Sequence, residues 1–217
     1  RRHTRLLTQS RGLGDVYKRQ DYVIPDANSC KTCHSTVRAE SGSGVNQETV
    51  ITPIGPKARF LNTDNQYDGK TVNQLAYMEQ QGVLVGVPED LQSIETVPAW
   101  DDPAADLQNR AKGYLDANCA HCHSPGGFAS NSALFLEYWR EVDTSYGLCK
   151  TPVAAGAGSG GLRFDIVPGD ADASITAYRM NSNEPDVRMP EIGRSVIHEE
   201  GVSLIREWIN SLHGNCE

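Results

Sequence analysis

The chain has no long hydrophobic run. Its longest apolar candidate, Gly82 to Val87, falls far short of the ~20 residues that cross a bilayer, so no membrane span is expected. It is also short of basic charge once the first twenty residues are set apart. Those twenty hold six of the 20 Lys and Arg but one of the 28 acidic residues. The remainder carries 14 basic against 27 acidic side chains, a net −13 where the whole chain has −8. So acidic a body argues against nucleic acid or an anionic membrane surface as a partner. No βαβ pattern surrounds any cysteine pair, which argues against a thioredoxin-like redox motif.

The basic segment itself, Arg1 to Gln20, shows no packing pattern. Its part SRGLGDVYKRQ looks like an in-frame translation of a transposon-end sequencing adapter, and RRHTR like the flanking primer. Native sequence is therefore expected to begin near Asp21, and residues 1–20 are set aside from the fold. On this reading the native N-terminus, with its export signal, has been cut away, and a periplasmic address is expected.

What the chain does contain is two complete Cys-x-x-Cys-His motifs, Cys30-Lys31-Thr32-Cys33-His34 and Cys119-Ala120-His121-Cys122-His123. With six Cys and six His in 217 residues, chance would supply about 0.005 such matches. The spacing suits covalent attachment of a c-type haem. Two thiols three residues apart reach the two vinyl groups of one porphyrin, and the following His offers its imidazole to the iron. A four-Cys zinc site would leave both histidines unexplained and would join pairs 89 residues apart. The motifs therefore predict two covalently attached haem c groups. Cys30, Cys33, Cys119 and Cys122 form the thioethers, and His34 and His123 are the proximal ligands of the iron.

One motif falls in each half, and the Pro- and acid-rich stretch Pro88 to Pro103 lies between them. A boundary is expected near Ala99, with a first haem-binding region at 21–98 and a second domain at 99–217. In the second, Asp102 is a candidate N-cap and Pro103 suits the first helical position. The helix so begun would line up Leu107, Ala111, Tyr114 and Leu115 before reaching Cys119. Near the C-terminus Val202, Ile205, Trp208, Ile209 and Leu212 form an apolar stripe, with Gly214 as the expected C-cap. This layout resembles a class I c-type cytochrome domain, which implies that the two helices cross, with Tyr114 and Trp208 in contact. Arg188-Met189-Pro190 looks like the distal-ligand loop of that class, which implies Met189 as the second axial ligand opposite His123. Met180, on a short helical stretch with Ile175 and Tyr178, reads as a core residue, and His198 and His213 are the outsiders. His121 cannot fold back onto its own iron and is expected to face solvent.

The first half is less regular. Only nine residues of the expected native sequence precede Cys30, and Pro25 interrupts them, so this haem region is expected to be smaller, loop-rich and truncated. A helix is expected from Val72 to Gln81, stopped by Gly82. Met78 shares its apolar face with Leu75 and Val72, so it reads as core, with distal ligation the alternative. No His lies between His34 and His121, which excludes two imidazole ligands from this half alone. The expected fold class is mainly α: a cytochrome c-like helical domain in the C-terminal half, preceded by the smaller haem domain.

The segments YVIPDANSCKTCH, ITPIGPKARFLN, NQLAYMEQQG and YLDANCAHCHSPGG together resemble a bacterial family of predicted diheme c-type cytochromes, over Asp21 to Leu212. The resemblance implies an exported protein that transfers electrons, and it brings no substrate with it. Cys149 and Cys216 fit no haem motif, and in an oxidising periplasm a disulfide between them is the economical reading, with two buried thiols as the alternative. The expected function is electron transfer between redox proteins, favoured over catalysis, with a basic rim on the partner to match the acidic charge. A diheme peroxidase-like enzyme would need an open iron beside an acid–base group. Lys57, Arg59 and Asp68 follow the first motif but read equally well as solvated surface. A cytochrome subunit of a periplasmic dehydrogenase differs from a free carrier only in its partner.

Overall fold

The computed structural model describes residues 26–39 and 47–217. The segment read as translated adapter, 1–20, lies outside the described residues. Among them the order is α1 (Ala27–His34), β1 (Ser35–Ala39), β2 (Gln47–Ile51), α2 (Ala58–Leu61), β3 (Asp64–Tyr67), β4 (Lys70–Asn73), α3 (Gln74–Gln80), α4 (Leu107–Asn118), α5 (Ile175–Met180) and α6 (Glu199–Ser211). Short 3-10 turns and loops fill the rest.

The expectation of a mainly α, cytochrome c-like chain is overturned. Six α-helices share the described residues with two antiparallel two-stranded sheets and long irregular connections. Local chemistry accounts for the strands. Thr36, Val37, Thr49, Val50 and Ile51 are β-branched and stiff at χ1, which favours the pleated ladder that runs from Ser35 opposite Ile51 to Ala39 opposite Gln47. The second hairpin turns on Asp68-Gly69, both left-handed at φ 50° and 77°, the dipeptide that a two-residue turn demands. This hairpin takes Val72 into β4, opposite Asn65, so the expected helix from Val72 begins only at Gln74. Asn73 caps it by accepting the Leu75 N–H.

Two further ends differ from expectation. Asp102 accepts the Ala104 N–H in a local turn, and Asp106 is the cap of α4, accepting the Asn109 N–H at 2.9 Å. Both are N-cap residue types, but only Asp106 directly precedes residues that continue the helical hydrogen bonding. At the other end α6 closes at Leu212 rather than Gly214.

The described residues form two compact units, 26–33 with Val142–Glu217, and His34–Glu141. In the first unit α5 packs on α6. Trp208, Ile205 and Ile209 are wholly buried, together with Ile166 and Tyr146. The Trp208 ring meets Tyr146 edge-on at 6.2 Å, an arrangement that aligns the ring quadrupoles. Lys150 and Asp165 pair at 3.2 Å, both nearly buried, and burial pushes the Asp165 carboxyl above its usual range against the pull of Lys150. Cys149 is joined to Cys216, tying the 147–150 turn to the chain beyond α6. The second unit has a smaller core around Leu75, Val97, Ala111, Leu115, Leu136 and Tyr138. No helix among the described residues is long and apolar enough to cross a membrane.

The disulfide closes a loop between positions 67 residues apart. Replacing Cys149 and Cys216 together by Ser is expected to cost about 4 kcal/mol through the freed chain entropy. Urea unfolding of the two forms checks this, and an unchanged midpoint would refute it.

Candidate haem sites

Helix α4 delivers the second motif. Ala111 and Leu115 anchor the helix in the core, and Asp106 fixes its start. The helical bonding continues past its end: the Cys119 N–H donates to the Leu115 carbonyl at 2.8 Å, Cys122 N–H to Cys119 O at 3.0 Å, and His123 N–H to Cys119 O at 2.9 Å. Cys119, Cys122 and His123 thus occupy successive positions of one turn, with i, i+3 and i+4 spacing, which sets the two thiols and the imidazole on one face. His123 is held further. Its Nδ1 lies 3.3 Å from the Leu134 carbonyl, and its own carbonyl accepts the Leu136 N–H at 2.9 Å. An Nδ1–H donated to a carbonyl fixes the tautomer that puts the lone pair on Nε2, the second-shell arrangement usual for a metal-ligating His.

The loop after the motif folds back on it. Ala129 N–H donates to Cys122 O at 3.0 Å, and Gly127 passes so close that a Cβ there would lie 2.2 Å from that same carbonyl oxygen. Only glycine fits. The loop also meets the first hairpin, where Val37 N–H donates to Gly126 O at 2.9 Å.

The residue that fastens α4 is one the sequence reading missed. Asp116, three residues before Cys119, is wholly buried. Its carboxylate pairs with Lys57 at 2.8 Å and Arg59 at 3.3 Å, and it accepts the Tyr138 backbone N–H at 3.2 Å. Lys57 and Arg59 are therefore committed to this carboxylate rather than being solvated surface. Arg59 also lies over the Trp139 ring, 4.7 Å from its centroid. On the helix Asp116 has Lys112 and Gly113 for neighbours one turn before it, so nothing local marks it as buried.

The first motif lies on α1, begun by Asp26, whose carboxylate accepts the Ser29 N–H at 2.7 Å. Cys30, Cys33 and His34 again take i, i+3 and i+4 positions. No residue of this helix is buried. The His34 carbonyl accepts the Thr52 N–H from the end of β2.

The chain matches no family model, no curated protein and no solved structure.

The donor sets themselves fit covalent haem. In each motif helical geometry aligns two thiols and an imidazole, and the four motif cysteines are thiols while Cys149 and Cys216 are joined. Met189 sits half-buried in the loop between α5 and α6, its N–H donating to the Arg179 carbonyl at 3.0 Å. Its unit is the one that does not contain His123. Met180 is buried in the core of that unit. His198 pairs with Glu200 at 3.7 Å, and His213 is exposed. Tyr114 meets Trp100 at 6.4 Å, while Trp208 has Tyr146 as its ring partner. Met78 is half-buried on α3. His121 is not the solvent-facing residue expected. It is half-buried, its Nδ1 has no hydrogen-bond partner, and burial first, then the charges of Lys57 and His34, push it below the usual imidazole range.

Asp116→Asn is expected to lower stability by about 2 kcal/mol, the loss of two charge-assisted contacts. Arg59→Met should cost less, because Lys57 still neutralises the carboxylate. Urea midpoints test the order, and equal losses in both variants would overturn it.

Proposed function

We propose that the chain is an exported diheme c-type cytochrome that passes single electrons between redox proteins. The observation that carries this reading is the turn from Cys119 to His123. There two thiols and an imidazole share a face, and the His123 Nδ1 lies against the Leu134 carbonyl. The thiols of Cys119 and Cys122, and those of Cys30 and Cys33, would add across vinyl groups to give thioethers. His123 and His34 would then ligate the iron from the proximal side. When bound, the haem iron supplies a one-electron couple whose potential its axial ligands tune. Met189 is the proposed distal ligand on the His123 side, on the strength of the Met189-Pro190 sequence. The Cys149–Cys216 disulfide suits the oxidising compartment in which haem attachment takes place. The acidic excess suits a partner with a basic rim.

Expression with export and haem-attachment machinery, followed by mass spectrometry, tests the reading. Two haem masses that resist acid acetone are expected, and their absence would sink it. Met189→Ala should abolish the methionine–iron absorption band and lower that haem's potential, while Met180→Ala should leave both intact. The reverse result would overturn the assignment of Met189.

Oxidation by a basic cytochrome should slow as salt rises, because screening weakens the steering supplied by the acidic charge. Stopped-flow mixing at several ionic strengths measures this. A rate independent of salt would refute an electrostatically docked partner, and fast saturable peroxide turnover would favour an enzyme.

A further inference from the structure

Between the second motif and Glu141 the chain carries four aromatic side chains, Phe128, Phe135, Tyr138 and Trp139. Three of them hold a cation of their own unit over the ring. Arg140 stands 4.9 Å from the Phe135 centroid, Lys112 5.4 Å from that of Tyr138 and Arg59 4.7 Å from that of Trp139. Each is the attraction of a positive charge to the negative face of the ring. Phe128 has neither a cation nor another ring against it among the described residues, and it is 63 % exposed.

Its backbone is nonetheless held on both sides. Gly127 sits where a Cβ would run into the Cys122 carbonyl, and the Ala129 N–H donates to that same carbonyl at 3.0 Å. The Ser130 N–H closes the turn on the Gly127 carbonyl at 3.1 Å. Phe128 is thus presented at a fixed place beside the backbone of Cys122. The surroundings are neutral. Residues 117–136 hold no Asp, Glu, Lys or Arg, and their exposed positions, Ala117, Asn118, Pro125, Phe128, Asn131 and Ala133, are all uncharged. The unit that contains them, His34–Glu141, has 7 basic and 14 acidic side chains, a net −7. A neutral centre in an acidic body suits a surface that gathers a cationic partner through its field and closes on it with little charge to desolvate.

We propose that this neutral surface is where the basic redox partner docks, with a Lys or Arg of that partner seated over the open face of Phe128. The proposal rests on the electron-transfer reading and adds to it the place of contact. It sets the partner beside Cys122, and so makes the second haem the one that exchanges electrons with it.

The exported diheme protein tests this, with a basic c-type cytochrome as the oxidant. Haem count by mass decides the diheme reading on its own. Phe128→Ala should slow oxidation by that cytochrome about tenfold. Oxidation by ferricyanide and the absorption bands of both haems should stay as in the wild type. The rate should still fall as salt rises, because no charge has been removed. Phe128→Trp, which offers a cation a better face, should keep the rate or raise it. Val153, 67 % exposed in the other unit, serves for comparison, and Val153→Ala should leave the rate alone. A wild-type rate in Phe128→Ala, equal slowing in Phe128→Trp, or slowing by Val153→Ala instead would each overturn the assignment. So would a shift of the haem bands in Phe128→Ala, which would put the ring against the porphyrin rather than the partner.

Discussion

A carboxylate withdrawn from water costs several kcal/mol unless cations and hydrogen bonds replace its hydration, and Asp116 is withdrawn completely. The unit from His34 to Glu141 is arranged around that demand. Lys57 and Arg59 come from the irregular stretch before and within α2, and Tyr138 gives its backbone N–H from the segment that follows the second motif. Both cations keep part of their side chains in water, so the attraction is gained without stranding a positive charge. One side chain thereby fixes two stretches of chain against the end of α4. That end is where Cys119 begins the motif turn. The position of the thiols and of His123 depends on an ion pair as much as on the apolar contacts of Ala111 and Leu115.

This arrangement also explains which parts were legible in the sequence. The Cys-x-x-Cys-His motifs are local, since each is complete within five consecutive residues. The stripe of α6 is legible for a similar reason, because Val202, Ile205, Trp208 and Ile209 repeat with the helical period and are buried. Asp116 is not local. Its partners Arg59 and Lys57 lie 57 and 59 residues earlier, and no pattern in one chain links them. The second hairpin was within reach. Asp68-Gly69 is a strong turn signal, but its flanks, Asp64–Tyr67 and Lys70–Asn73, lack the apolar alternation that normally accompanies it. With Val72 next to Leu75, the helical period extended into residues that the turn had already assigned to a strand. The start of α4 was misplaced because Asp102-Pro103 and Asp106 are competing caps, and only the chain that follows each decides between them.

The mainly α expectation failed where backbone hydrogen bonds are made between strands. β1 follows His34 directly and pairs with β2, and its Val37 N–H reaches across to Gly126. These bonds give the unit a second support that does not depend on its modest apolar core. They also place the exits of the two motifs side by side, a juxtaposition that helix periodicity has no means of announcing.

The two motifs use their intervening residues differently, and the proposed attachment leaves them free to do so. Thioether formation requires the cysteines three apart and the histidine next, but sets no condition on the two residues between. In the first motif these are Lys31 and Thr32, and the Thr32 hydroxyl bonds back to the Asn28 carbonyl along an exposed helix. In the second they are Ala120 and His121. Ala120 is buried and contributes to the core, its N–H donating to the Leu115 carbonyl. His121 follows it into a half-buried site, where a polar ring is costly unless both nitrogens have work to do. Its Nδ1 is buried without a hydrogen-bond partner among the described residues, and that is the cost this position carries.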